Sequence, residues 1–195
     1  MTTESLKERI ERCEALVHER PASAAAHFNL GLAYTQHGHM DSAEREYRKA
    51  VELDPELVEG WVNLGGALLL KWDFKAALEA NLEAVRLRDD IALAHYNLGQ
   101  SYLYMGDAEG LVRANRRVLE LDPDHAAGHY FLAVGLLALD RVGEARAELA
   151  AAMALGHRPS PEFLKKLHQA ESGLGQSNAN TDSTGTGVPE ILKEV

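Results

Sequence analysis

Leu30, Leu64, Leu98 and Leu132 stand 34 residues apart, each in a similar setting: AHFNLGLAY, GWVNLGGAL, AHYNLGQSY and GHYFLAVGL. A fixed period of this length means that each copy is one supersecondary unit that cannot bury its apolar face alone, so a continuous core forms only when copies stack. Within each copy the apolar residues recur at helical spacing in two stretches parted by a turn, as in Phe28 to Gln36 and then Ala43 to Leu53. Each copy therefore reads as a helix hairpin. The punctuation agrees, because Gly38 and Gly106 close first helices, and Asp54-Pro55 and Asp122-Pro123 close second helices where proline cannot extend the hydrogen-bond ladder.

The expected fold is all-α, a solenoid of four hairpins over residues 24–57, 58–91, 92–125 and 126–159, preceded by a leading amphipathic helix within residues 1–23. Pro21 lies 34 residues before Pro55, so the leading helix reads as the second half of a truncated repeat. Ser160-Pro161 opens a further helix, expected over 160–172, with proline in its first turn. It supplies the solvated cap that a stacked array needs. Residues 173–195 begin GLGQSNANTDSTGTG, with almost nothing to bury, and read as a disordered tail ending in VPEILKEV.

The period and residue pattern resemble the tetratricopeptide repeat. In the first copy Leu30, Gly31, Tyr34, Ala43, Tyr47, Ala50 and Pro55 fall on that family's positions, with His27 where tryptophan is commonest. The second copy supplies Trp61, Leu64, Gly65, Ala77 and Ala84, the third Leu98, Gly99, Tyr102 and Pro123, and the fourth Leu132, Ala145 and Ala152. Small residues at these positions let helices approach closely while larger ones fill between them. Five departures stand out. Asn81 and Asn115 replace an aromatic residue, which predicts looser packing in the second and third hairpins; Asp89 replaces a proline; Leu111 and Val118 replace small residues, which predicts altered stacking of the third hairpin.

The resemblance implies a protein-binding module whose first helices line a concave groove. Carried onto this chain, the groove positions are Phe28, Asn29, Leu32 and Gln36, then Val62, Asn63, Gly66 and Leu70, then Tyr96, Asn97, Gln100 and Tyr104, and finally Tyr130, Phe131, Val134 and Ala138. Asn29, Asn63 and Asn97 repeat at the 34-residue period and resemble the asparagine ladder of the O-GlcNAc transferase repeat domain. An asparagine amide offers a donor and an acceptor, so it can pair with the backbone of an extended peptide whatever that peptide's side chains are. The competing reading is that these amides bond within the array. Phe28, Leu93 and Asn97 stand where a carboxylate-clamp member of the family needs lysine or arginine. Tyr96, Tyr104, Tyr130 and Phe131 suit an apolar anchor, with part of that stripe shared by the core between helices.

Other chemistry is poorly supported. The pair His125 and His129 and the pair His37 and His39 lack a third ligand, and His27, His95 and His129 share the tryptophan position, so neither a metal nor a cofactor is expected. No phosphate loop, nucleophile elbow or paired helix histidines with an intervening glutamate marks an enzyme. Arg113, Arg116 and Arg117 could meet an acidic partner or form a solvated outer face. A net charge of -10 opposes nucleic acid and anionic lipid as partners. The N-terminal segment MTTESLKERIERCEALVHER has no apolar run of signal-peptide length, and Cys13 is the single cysteine, so a cytoplasmic setting is expected. Two further roles are compatible with the sequence: self-association, with the groove receiving VPEILKEV of the same or another copy, and a regulatory subunit docking by its convex face.

Overall fold

A computed structural model describes residues 5–174. Ten helices are found among them: α1 (Leu6–Glu19), α2 (Ala24–Gln36), α3 (Met40–Leu53), α4 (Val58–Leu70), α5 (Phe74–Leu87), α6 (Ala92–Met105), α7 (Ala108–Leu121), α8 (Ala126–Ala138), α9 (Val142–Ala154) and α10 (Pro161–Leu174). The architecture is all-α, as the two nested periodicities require. The final helix runs to Leu174, past the expected end of the cap, and the rest of the tail lies outside the described residues. The helices fall into two compact units that divide between Asn97 and Leu98, within α6.

In the first unit, Ser5 caps α1 with a reciprocal capping box to Glu8. Ser23 and Asp73 cap α2 and α5 through their side-chain oxygens. Cys13 is buried against Leu30 and Ala33 with Ile10 and Val17 beside it, which fixes α1 on α2. The Tyr34 hydroxyl donates to Glu14 across the same contact at 2.7 Å. Partial burial and that neighbouring carboxylate push the phenol up to about 12. Lys71, at the end of α4, reaches back to Asp41 and Glu44 of the preceding hairpin at 2.6 and 2.5 Å. Burial alone would raise the Glu44 carboxyl, but hydrogen bonds from Lys71 and Arg48 outweigh it and hold the group below the usual carboxylate range.

Each of the first three hairpins closes on one contact between its first and second helices. A Cβ added at Gly31 would lie 2.6 Å from the Tyr47 ring, one at Gly65 would collide with the Asn81 amide, and one at Gly99 would lie 2.7 Å from Asn115 Nδ2. The looser packing expected at the two asparagines is therefore not what the chain adopts. Both are fully buried, and each Nδ2 donates to the carbonyl four residues back, Ala77 for Asn81 and Leu111 for Asn115, at 2.8 and 2.9 Å. Asparagine fills the aromatic position by lying flat on glycine and tying its polar end to its own helix.

In the second unit the oversized Leu111 and Val118 are fully buried. Space for them comes from α8. A Cβ at Gly128 would meet Val118 Cγ1 at 3.1 Å, and one at Gly135 would meet Val112 and Leu111 at 2.8 and 3.3 Å. Larger residues on α7 are thus offset by glycine on its neighbour, and core volume is conserved. Tyr130 and Phe163, with ring centroids 5.3 Å apart and nearly edge to face, fix α10 on α8.

Candidate functional site

The first helices of the hairpins begin with a shared device. The ring N–H at the tryptophan position donates to the backbone carbonyl six residues earlier: Trp61 to Pro55 at 2.9 Å, and His27, His95 and His129 to Pro21, Asp89 and Pro123 at 3.0 Å each. Histidine replaces tryptophan here because the hydrogen-bond donor, rather than the size of the ring, ties the incoming loop to the helix. Asp89 keeps the carbonyl, so loss of the proline leaves this bond in place. The second nitrogens of His27 and His129 lie 2.7 and 2.6 Å from Glu46 and Glu148. His125 accepts from Gly128 N as an N-cap, and His37 and His39 lie within 3.2 Å of each other in a turn. Among the described residues no three His, Cys, Asp or Glu side chains come together as a metal site.

The three ladder amides share a register but not an environment. Asn29 is exposed, and no hydrogen bond engages its amide among the described residues. Asn63 is half-buried, and its Nδ2 donates to Glu59 O at 2.8 Å. Asn97 is 7% exposed, and its Nδ2 donates to Asn81 Oδ1 at 3.3 Å. Asn97 differs because its partner stands sixteen positions earlier, where the equivalent residues are Cys13 for Asn29 and Tyr47 for Asn63. Only Asn81 offers an amide oxygen. In the second unit Phe131 stands sixteen residues after Asn115, and Asn115 Oδ1 is buried with no partner.

The remaining groove positions separate into core and surface. In the first unit Phe28 lies 5.9 Å from the Tyr47 ring and, with Leu32, packs on the hydrophobic core, while Val62 is buried beside Ala84 and Ala94. Gln36 is exposed and accepts from Arg9 at 2.8 Å. Leu70 is 64% exposed, Tyr96 and Gly66 are half-buried. In the second unit Tyr130 and Val134 belong to the core, with Tyr130 stacked on His157 at 4.3 Å. Phe131 and Ala138 are half-buried, and Tyr104 is exposed. Gln100 is half-buried, yet its Nε2 is fully buried without a hydrogen-bond partner. Sequence reasoning missed Gln100 as a distinct group, because nothing in its repeat position separates a solvated amide from a stranded one.

The outer-face arginines are engaged locally. Arg113 pairs with Glu109 at 3.6 Å, Arg116 with Glu144 at 3.7 Å and Arg117 with Glu120 at 2.8 Å. This argues for a solvated face, whose exposed ion pairs contribute little. No helix among the described residues is long and apolar enough to cross a membrane.

The sequence pattern of the tetratricopeptide repeat matches residues 24–57, and a second pattern of the same family matches residues 96–161, together just over half of the chain. The chain is a tetratricopeptide-repeat protein. Its architecture is that of a protein-interaction scaffold. No curated protein matches the sequence. Among solved structures, this tetratricopeptide-repeat chain is similar to YrrB, described as a TPR protein with an unusual peptide-binding site, at 17% identity over 87% of each chain with a TM-score of 0.75. It is also similar to PilF of Pseudomonas aeruginosa, at 19% identity over 88% of this chain and 86% of that one with a TM-score of 0.68. A third is MamA of Desulfovibrio magneticus RS-1, at 20% identity over 89% of each chain with a TM-score of 0.66. At these identities the likeness is one of fold.

Proposed function

We propose that this chain is a non-catalytic scaffold that binds an extended segment of a protein partner along the first helices of its hairpins, with Asn29 and Asn63 pairing with the partner's backbone. The observation that carries this reading is hydrogen-bonding capacity the fold leaves unused. The Asn29 amide and Asn63 Oδ1 have no hydrogen-bond partner among the described residues. A peptide backbone supplies carbonyls and N–H groups independently of its sequence. The exposed Leu70 is suited to a partner's apolar side chain, and Asn97 acts as a positioning residue through its bond to Asn81. YrrB offers a precedent in this fold for a peptide-binding site.

The net charge of -10 favours a protein over nucleic acid or an anionic membrane surface, and the single buried Cys13 is in keeping with a cytoplasmic role. No cofactor enters this reading.

Peptides selected from a random displayed library against the full chain test it. In the double variant Asn29→Ala, Asn63→Ala, affinity for the selected peptides falls about tenfold or more at unchanged helicity, the loss expected for two hydrogen bonds of about 0.5–1.5 kcal/mol each. N-methylation of the peptide amides weakens wild-type binding in parallel. Affinities that survive both changes would move the binding surface away from these asparagines.

A further inference from the structure

Two glycines stand side by side inside α4, and packing requires only the first of them. In the same unit a Cβ at Gly31 would lie 2.6 Å from the Tyr47 ring, one at Gly60 would lie 2.8 Å from Val51 Cγ1, and one at Gly65 would collide with the Asn81 amide. At Gly66 a Cβ would meet only Asn97 Nδ2 among the described residues, at 3.8 Å, which is an ordinary contact. Glycine is the least favourable residue after proline in a helix interior. The helix therefore bears a cost at Gly66 that its own packing does not ask for. The equivalent positions of the other hairpins hold Leu32, Gln100 and Val134, each of which carries a side chain there.

The missing side chain matters because of Asn63, three residues earlier on the same face of α4. Asn63 Nδ2 donates to Glu59 O at 2.8 Å, so the amide is folded back along its own helix and Oδ1 is held low against the helix surface. An N–H that donates to that oxygen at about 2.9 Å has to come down to the same surface. Side chains in a helix lean back over the preceding turn, so any side chain at position 66 would lean toward Asn63 and obstruct the approach. We propose that Gly66 is a specificity-determining residue of the partner-binding face: it lets the main chain of an extended segment lie directly on α4 and donate an N–H to Asn63 Oδ1. This rests on the partner-binding reading above and narrows its ligand class. The ligand residue over Gly66 must have a free N–H, which excludes proline at that place.

The test titrates peptides selected from a random displayed library with the full chain and its variants. Gly66→Ala is expected to raise the urea midpoint, as alanine does inside a helix, and yet to weaken peptide binding about fivefold or more. Asn63→Ala is expected to weaken binding to the otherwise wild-type chain but to add little in the Gly66→Ala background, where the hydrogen bond it removes is already lost. Gly143→Ala is the control: this exposed glycine of α9 has nothing within 4 Å of an added Cβ among the described residues, and affinity is expected to stay unchanged. Unchanged affinity in Gly66→Ala, with a loss in the double variant Asn29→Ala, Asn63→Ala, overturns the role of Gly66 and leaves the partner-binding reading standing. Unchanged affinity in both overturns both. A lowered urea midpoint in Gly66→Ala, an equal affinity loss in Gly143→Ala, or fully additive losses for Gly66→Ala and Asn63→Ala would each overturn the assignment as well.

Discussion

A buried asparagine is stabilising or costly according to whether its carbonyl oxygen finds a donor, and the chain holds one example of each. Asn81 Oδ1 accepts from Asn97, whereas Asn115 Oδ1 has no partner, although both side chains are fully buried against glycine. Replacing Asn81 by leucine removes the acceptor from the Asn97 amide and is expected to cost about 1–3 kcal/mol. The same change at Asn115 removes an unpaired acceptor at similar volume and is expected to stay within about 1 kcal/mol of wild type. Urea denaturation of the two variants measures the difference, and equal losses would mean that the fit against glycine dominates. The contrast also marks a limit on reading the candidate site from sequence. Asn29, Asn63 and Asn97 are indistinguishable at a period of 34, but Asn97 bonds at a spacing of 16 to Asn81, where the other two have Cys13 and Tyr47. A pattern search within one repeat position does not contain that information.

The turn inside each hairpin imposes a left-handed residue at one fixed position. Gly38 and Gly106 meet it with φ of 81° and 74°, and Trp72 and Asp140 adopt φ of 63° and 57° at the same place in their repeats. For a bulky residue this conformation costs about 1–2 kcal/mol, less for aspartate, whose short polar side chain tolerates it. Trp72 is 70% exposed and meets Phe74 edge to face at 5.9 Å, so burial offsets little of that cost. Trp72→Gly is expected to stabilise the chain by about 1 kcal/mol after the greater unfolded-state freedom of glycine is subtracted, and Asp140→Gly to change it by roughly zero. Thermal midpoints report both. The helices and hairpins were legible because Gly38, Gly106, Pro55 and Pro123 punctuate a helical apolar pattern. The compensation of Leu111 and Val118 by Gly135 and Gly128 was not, since it requires knowing which faces of α7 and α8 meet.

At the scale of the whole chain, stability in such arrays is close to a sum of unit and neighbour terms. Deleting residues 58–91 removes α4 and α5 and keeps the repeat register, bringing Leu57 next to Ala92. The urea dependence of unfolding tracks the surface exposed, so the m-value is expected to fall by about a fifth, 34 of the 170 described residues, with cooperative unfolding retained. A much larger fall would show that the remaining helices no longer unfold together. The Asn97–Asn81 bond has a consequence of another kind. A chain of look-alike hairpins risks misfolding by pairing a hairpin with the wrong neighbour, since every mismatch still buries leucine against alanine. Cys13 and Tyr47 offer no amide oxygen at the positions equivalent to Asn81, so the bond acts as an address label, lost when Asn97 meets either of the earlier helices and so discriminating among folded orders that hydrophobic burial cannot tell apart.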